Sequence, residues 1–419
     1  MKDLTITSTE KAVLRDLARR QQEYAMLPIM REREARWYRH NDLLGDFPMI
    51  SFETWTCEDE LLEPLQCRSE AAQLIELQIK REILNHEAVD DDRVVSPHFT
   101  VPWTLSMIPF NLKVESEHAL DDKGHDVAYR FLHPIRDLRA DLHKLQGSVY
   151  SVDRQGTLAW KALVEDILGD ILPVRMGMRS LVCCLSQYVV HLVGMETMMV
   201  SMMDYPEEVH ALMKRLSQDY IAYFKWLEKE GLLFANNGND WLCQGSFGFT
   251  RDLPCPGLTG RPIATHDVWG YMDSQESVGM SPDMFNEFFF PYYREVASLF
   301  GLLSYGCCEP VHTCWEKSLC RLPNLRKVSI SPWCDKAKMG EALRGSRTIY
   351  HRKPSPNFIG VGRNLDEEAF TRHICHTLEC ARGCRLEFSF RDIYALEGNR
   401  DKPRRAVQLI RDLIERHWK

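Results

Sequence analysis

The chain has 419 residues, 44% hydrophobic and 27% charged, with a formal net charge of −8 and a sequence pI of about 6.0. That balance is ordinary for a folded protein, and a negative charge without any basic run excludes a nucleic-acid partner. No stretch is apolar for about 18 or more residues, so no membrane partner is expected either. The start, Met1-Lys2-Asp3-Leu4-Thr5, lacks the apolar core of a signal peptide. Fourteen cysteines then point to a reducing, cytoplasmic setting. No Cys-x-x-Cys occurs, which removes zinc-ribbon and thioredoxin readings.

Residues 1–48 read as a helical, highly charged N-terminal arm, exposed and suited to packing on a second copy of the chain. The sequence 49–55, Met-Ile-Ser-Phe-Glu-Thr-Trp, alternates as a strand does and ends in polar and aromatic side chains. Helix is expected over 60–92, closing on Asp90-Asp91-Asp92, and a second strand over 94–103. The stretch 111–154 is polar and rich in His and Asp, the composition of a surface insertion. From Thr157 the rhythm is regular: helix 158–169, strand 172–176, then a Met-rich helix with Met195, Met198, Met199, Met202 and Met203, read as adaptable core. Val209, Leu212, Met213, Leu216, Tyr220, Phe224 and Leu227 form a helical stripe that Gly231 ends.

A strand is expected at 232–235, running into Asn236-Asn237-Gly238-Asn239-Asp240-Trp241. The long loop 243–262 has the length of a lid or binding loop. Strand-like 268–275 follows, then a helix capped by Ser281 with Pro282 in its first turn and a kink expected at Pro291. Strands near 301, 328, 348 and 386 and a closing helix over 403–418 complete the chain. About eight strands alternating with helices predict an α/β fold, a (β/α)8 TIM barrel over 49–419 with an N-terminal helical extension over 1–48. A doubly wound sheet is the alternative.

The densest chemistry lies at 301–312, Gly-Leu-Leu-Ser-Tyr-Gly-Cys-Cys-Glu-Pro-Val-His. Cys307, Cys308, Glu309 and His312 are ligand types for zinc, set just past a strand end where barrel active sites lie. The alternative is that Cys307 and Cys308 are buried thiols.

This stretch, preceded by Met280-Ser281-Pro282-Asp283-Met284-Phe285 and Phe289-Phe290-Pro291-Tyr292-Tyr293, resembles the uroporphyrinogen decarboxylase superfamily from about residue 160 onward. The resemblance implies a (β/α)8 barrel and one of two chemistries: cofactor-free decarboxylation, or methyl transfer with a corrinoid carried on another protein. Where the decarboxylases carry an Arg-rich carboxylate clamp, this chain reads Met30-Arg31-Glu32-Arg33-Glu34-Ala35-Arg36. The methyltransferase branch implies a zinc site of His-x-Cys plus a distant Cys. Cys307 matches the first cysteine, Tyr305 stands at the histidine, and Glu387 and Ser389 stand where the last cysteine is expected.

The expectation is therefore a methyltransferase moving a methyl group between a small-molecule methyl donor and a corrinoid protein, assisted by zinc on Cys307, Cys308, Glu309 and Glu387. Tyr305, Asp273 and Asn237 are the expected catalytic residues. Glu53, Trp103, Asp240, Gln275, His351, Arg352 and Arg391 are the expected substrate-binding residues, with Trp55, Trp103 and Trp241 excluding water. The alternatives are a metal-free decarboxylase or lyase, and a non-catalytic binding barrel.

Overall fold

The computed structural model describes residues 4–120, 126–255 and 260–418. Parts of two expected features, the insertion 111–154 and the loop 243–262, therefore lie outside the described residues. Helices α1 (Ser8–Ala25) and α2 (Pro28–Asn41) form as expected, α1 from a reciprocal Thr7–Glu10 cap and α2 from Pro28 in its first turn. They are not an exposed arm. Leu14, Leu17 and Ala18 pack with Ile75 and Ile79 of the helix Glu70–Leu84. Trp37 is fully buried and donates its indole N–H to Asp92 O at 2.8 Å. An arm with that apolar stripe is more stable packed on the neighbouring helices than lying in water.

The first strands are β1 (Met49–Phe52) and β2 (Phe99–Pro102). Around the insertion, β3 (Leu105–Ile108), β4 (Glu115–Leu120), β5 (Asp126–Leu132) and β6 (Val149–Val152) make two antiparallel ribbons, β3 with β6 and β4 with β5. The remainder are β7 (Val174–Gly177), β8 (Leu181–Cys183), β9 (Trp241–Cys243), β10 (Ser246–Phe247), β11 (Trp269–Met272), β12 (Leu302–Tyr305), β13 (Leu325–Ile330), β14 (Ile349–Arg352) and β15 (Leu386–Phe390). Seven run parallel in the order β1-β15-β14-β13-β12-β11-β8, while β2 and β7 form a separate parallel pair. As expected of Pro291, the helical run breaks there: a π-turn over Phe285–Phe289 gives way to a new helix, Phe290–Ala297.

The expected closed (β/α)8 barrel is thus open. Among the described residues no ladder joins β1 to β2 or β7 to β8. The reason is visible at the free edge of β1, where side chains take the place of a neighbouring strand. Asp92 Oδ2 accepts the Ile50 N–H and Asp91 Oδ2 the Phe52 N–H, each at 2.8 Å, and Asn85 Nδ2 donates to Phe52 O at 2.7 Å. Buried backbone groups must be paired, and here carboxylates and an amide do it.

The strand expected at 232–235 is also absent. Asn236 replaces it with its side chain, donating to Trp269 O at 3.1 Å and accepting Trp269 N–H at 2.8 Å. The chain then enters the barrel as a hairpin, β9–β10, with Gln244 and Gly245 at its tip. Gly245 has φ +82°, and a Cβ there would lie 2.8 Å from Ser389 Cβ, so the tip admits only glycine.

Alternation divides each strand. Ile50, Phe52, Val328, Ile330, Tyr350, Phe388 and Phe390 belong to the main apolar core under the helices. The opposite face carries Ser51, Lys327, Ser329, His351, Glu387 and Ser389, all buried. Lys327 Nζ donates to Glu387 Oε2 at 2.8 Å, Ser246 Oγ at 2.6 Å and Phe247 O at 3.3 Å, tying the hairpin to the strands around it.

Removing the seam carboxylate tests this arrangement. Asp92→Ala leaves the Ile50 N–H without a partner and takes from the Arg411 guanidinium its 3.0 Å contact to Asp92 Oδ1, leaving it only the longer one to Asp90 at 3.5 Å. We expect a loss of about 3–5 kcal/mol in urea unfolding. A loss below about 1 kcal/mol would show that the seam is held otherwise.

Candidate active site

The C-terminal ends of the strands deliver one convergent set of side chains, as in barrels generally. Asp273 follows β11, Cys307 to Glu309 follow β12, Lys353 follows β14, Arg391 and Asp392 follow β15, Glu53 follows β1 and Cys184 follows β8. Tyr271 OH donates to Asp273 Oδ2 at 2.9 Å, and Tyr293 OH to Asp273 O at 2.7 Å. Lys353 Nζ reaches Gln244 Oε1 at 2.5 Å, Cys307 O at 3.1 Å and Gly306 O at 3.4 Å, pinning the hairpin tip to the Cys307 turn. Gly306, at φ +101°, supplies that turn. Arg391 Nη1 lies 3.9 Å from Cys307 Sγ, and its Nε lies 3.4 Å from Glu53 Oε2 and 3.1 Å from Asp392 Oδ2.

Burial governs the protonation of this set. It raises the Asp273 carboxyl above the ordinary range, against the hydrogen bonds from Cys184 and Tyr271 and the charge of Lys353. It also raises Glu309, next to Asp273, to about 7. Both Glu309 oxygens accept backbone N–H groups, Oε1 from Ser274 at 2.9 Å and Oε2 from Cys307 at 2.8 Å. The two vicinal sulfurs are 3.5 Å apart. Hydrogen bonding from Cys307, against burial and with help from Lys353, brings the half-buried Cys308 thiol down to about 6, while Cys307 is held protonated.

Of the residues singled out in the sequence, Asp273, Cys307, Cys308, Glu309, Glu53 and Arg391 meet here. The others do not. Tyr305 faces the helices: its OH contacts Ser274 Oγ at 2.5 Å and its ring packs on Tyr293. Arg352 also faces outward, donating to Ile330 O and Ser331 O and lying 3.4 Å from His373 Nε2. His351 points inward but sits lower, on Ser389 Oγ at 2.7 Å, and burial pushes its pKa down to about 3.

Asn237 and Asp240 lie at the opposite, N-terminal end, beside the start of β11. Asn237 holds the loop through Leu253 O at 2.7 Å, and Asp240 accepts Gly238 N–H at 3.1 Å. They were expected past a strand end, but no strand forms there. Gln275 donates to Glu276 at 3.1 Å. Trp103 lines a separate cavity of about 380 Å³ beneath Arg154, whose guanidinium lies 5.4 Å over its ring.

The expected zinc ligands do not form one set. Glu387 is paired with Lys327, four residues down β15 from Arg391, about 13 Å along the strand at ~3.3 Å per residue. Glu309 is turned onto backbone N–H groups. Among the described residues no group of three or more His, Cys, Asp and Glu side chains is arranged to hold a metal ion. The sequence reading missed Lys353, Cys184, Cys243, Gln244 and Tyr271. Lys353 was within reach of strand parity, since it stands two residues beyond inward-facing His351; the hairpin residues had no signal.

No family model matches the chain, and no curated protein matches it. A solved structure, a methyltransferase from Methanosarcina mazei, is similar over 90% of this chain and 98% of that one, at 15% identity and a TM-score of 0.49. Among the described residues no helix is long and apolar enough to cross a membrane.

Glu309 gives a pH test. Its folded pKa stands above the ordinary value of 4.5, so the stability it contributes is present at low pH and is lost as pH rises toward about 7. Relative to Glu309→Gln, the wild-type chain should therefore lose unfolding free energy between pH 5 and 7.5. Comparing the pair cancels the buried histidines, which act in the opposite sense. A difference that stays flat across that window would mean Glu309 ionises normally.

Proposed function

We propose that the chain is a methyltransferase that moves the methyl group of a small methylated substrate to a corrinoid carried by another protein, with Asp273 as its general acid. The observation that carries this reading is the buried Asp273 carboxyl at the strand-end mouth, held toward its neutral form and oriented by Tyr271. The corrinoid would supply the strongly nucleophilic metal centre that accepts the methyl group.

This chain's residues serve the leaving atom. As the bond between methyl and heteroatom breaks, its electron pair goes to the heteroatom, and the Asp273 proton follows. The resulting carboxylate is left near the Lys353 ammonium, whose charge favours it. A proton thus does what a Lewis acid does in the zinc reading, and no metal ligand set is needed for the step. A polycarboxylate substrate, as in the decarboxylase alternative, finds little to bind: Arg391 is already matched by Glu53 and Asp392, and Lys353 by carbonyl oxygens.

A docking partner is supported by the rim. Trp55, Trp333 and Tyr394 follow three strand ends and are 54%, 74% and 73% exposed. The same reading has the enzyme working in the cytoplasm, where its fourteen unpaired cysteines stay reduced.

The test uses free, chemically reduced cobalamin as acceptor and methyl ethers, methylamines and methyl thioethers as donors. Asp273→Asn should lower kcat/KM about 10²–10⁴-fold. In the wild type, activity should fall as pH rises through the elevated Asp273 pKa, since the acid form is the working one. An unchanged rate in Asp273→Asn would overturn the reading.

A further inference from the structure

The seam between β1 and β2 holds a feature the acid chemistry does not use. A cavity of about 310 Å³ opens there, with mostly apolar walls that include Glu53, Trp55, Arg93, Trp241, Gly245 and Phe247. Its two tryptophans are fixed by their edges to one carboxylate. Trp241 Nε1 donates to Glu53 Oε1 at 3.1 Å and Trp55 Nε1 to Glu53 Oε2 at 3.3 Å. Fixing the indoles by their N–H groups leaves much of each ring free, and the residues remain 47% and 54% exposed.

The charges in this cavity do not all cancel. Glu53 is answered by Arg391, and Glu58 by Arg81. Arg93 is different: it lies 5.4 Å over the Phe247 ring, and its Nη1 donates at 2.7 Å to the neutral amide oxygen of Asn85. Asp91 is close enough for the Arg93 charge to act on it, but burial raises its carboxyl above the ordinary range and its oxygens are taken by the backbone N–H groups of Phe52 and Arg93 and the Asn85 amide, so the two form no ion pair. One guanidinium is therefore left facing an aromatic cavity.

We propose that this cavity binds a planar aromatic carboxylate, its ring against Trp55 and Trp241 and its carboxylate on Arg93. Guanidinium and carboxylate are matched in charge and geometry, and flat rings stack favourably on indole faces. A quaternary ammonium would also suit the indoles, but Arg93 repels it and Glu53 is already neutralised. The cavity adjoins the acid site. Gly245 in its wall follows Gln244, which Lys353 binds, and the Cys243 thiol feels the charges of both Glu53 and Asp273. That the bound acid is the methyl donor rests on the methyltransferase reading; that it binds does not.

Isothermal titration of the full chain with 4-methoxybenzoate, anisole and tetramethylammonium separates these cases, since none needs a corrinoid. The expected order has 4-methoxybenzoate tightest, with anisole about 10–100-fold weaker, the worth of one charge-assisted contact. Arg93→Gln should erase the difference between the two, Arg93→Lys should keep part of it, and Trp241→Ala should weaken both. Circular dichroism checks that each variant is folded. Absence of saturable 4-methoxybenzoate binding, tighter binding of tetramethylammonium, or a carboxylate preference that survives in folded Arg93→Gln would each overturn the proposal. Binding without methyl transfer would count against the methyltransferase reading alone. Methyl transfer from other donors, with no carboxylate binding, would count against this proposal alone.

Discussion

The fold depends on a single buried ion pair. Lys327 and Glu387 are both fully enclosed, which costs several kcal/mol per charge unless every polar atom nearby is answered. Burial alone would raise Glu387, yet Lys327, with His351 and His40 close by, holds it well below the usual carboxylate range. Burial keeps His40 and His351 neutral, so Lys327 is the only full positive charge among those three neighbours. Through its ammonium the pair joins β13, β15 and the hairpin, and through His40, 3.4 Å from Glu387, it meets α2. A ring of apolar side chains could fill the same volume, but it could not specify the hairpin's backbone oxygen as a partner.

The active-site layout follows from where that hairpin stops. Its tip rises as far as Ser51 and Ser389, which bond each other at 2.8 Å, and Ser51 donates to Gly245 O at 2.6 Å. Below the tip Lys327, Ser246, Ser51, Ser389 and His351 are held in polar contacts, and the last inward residue of each strand is left for chemistry. Lys353 stands at that boundary, with one hydrogen bond to the hairpin and others to the Cys307 turn. Asp273 is therefore buried above a layer whose lysine already has its counter-charge in Glu387.

The legible part of this was periodic. Alternating strands at 49–52, 302–305, 325–330, 349–352 and 386–390 show their period in the sequence, and so does the break at Pro291. Cys307 could be placed because it stands just past 302–305, and Asp273 because it directly follows 269–272. Parity was the weak point: Tyr305 and Arg352 stand at strand ends but on the helix-facing side, and Glu387 is inward but four residues too low. The segment 232–241 was illegible for a different reason. Asn236 pairs through its side chain and Asp91 and Asp92 do the same at β1, so strands are replaced by residues that signal turns and helix ends. A pattern read from backbone periodicity has no way to register a ladder made of carboxylates and amides.

The threaded hairpin also sets an order of events. The Ser51 hydroxyl bonds the tip at a separation of 194 residues and Ser389 at 338. Contacts that distant carry a large loop-closure entropy and form late unless something nearer has reduced it. The helices and short ribbons can appear first, from local contacts. The interior cannot: the strand 386–390 has to arrive before Lys327 has its counter-charge and β1 its ladder, and it must arrive around a hairpin already inside. A nascent chain that has not yet produced residues 386–390 therefore carries a buried-to-be lysine with no counter-charge.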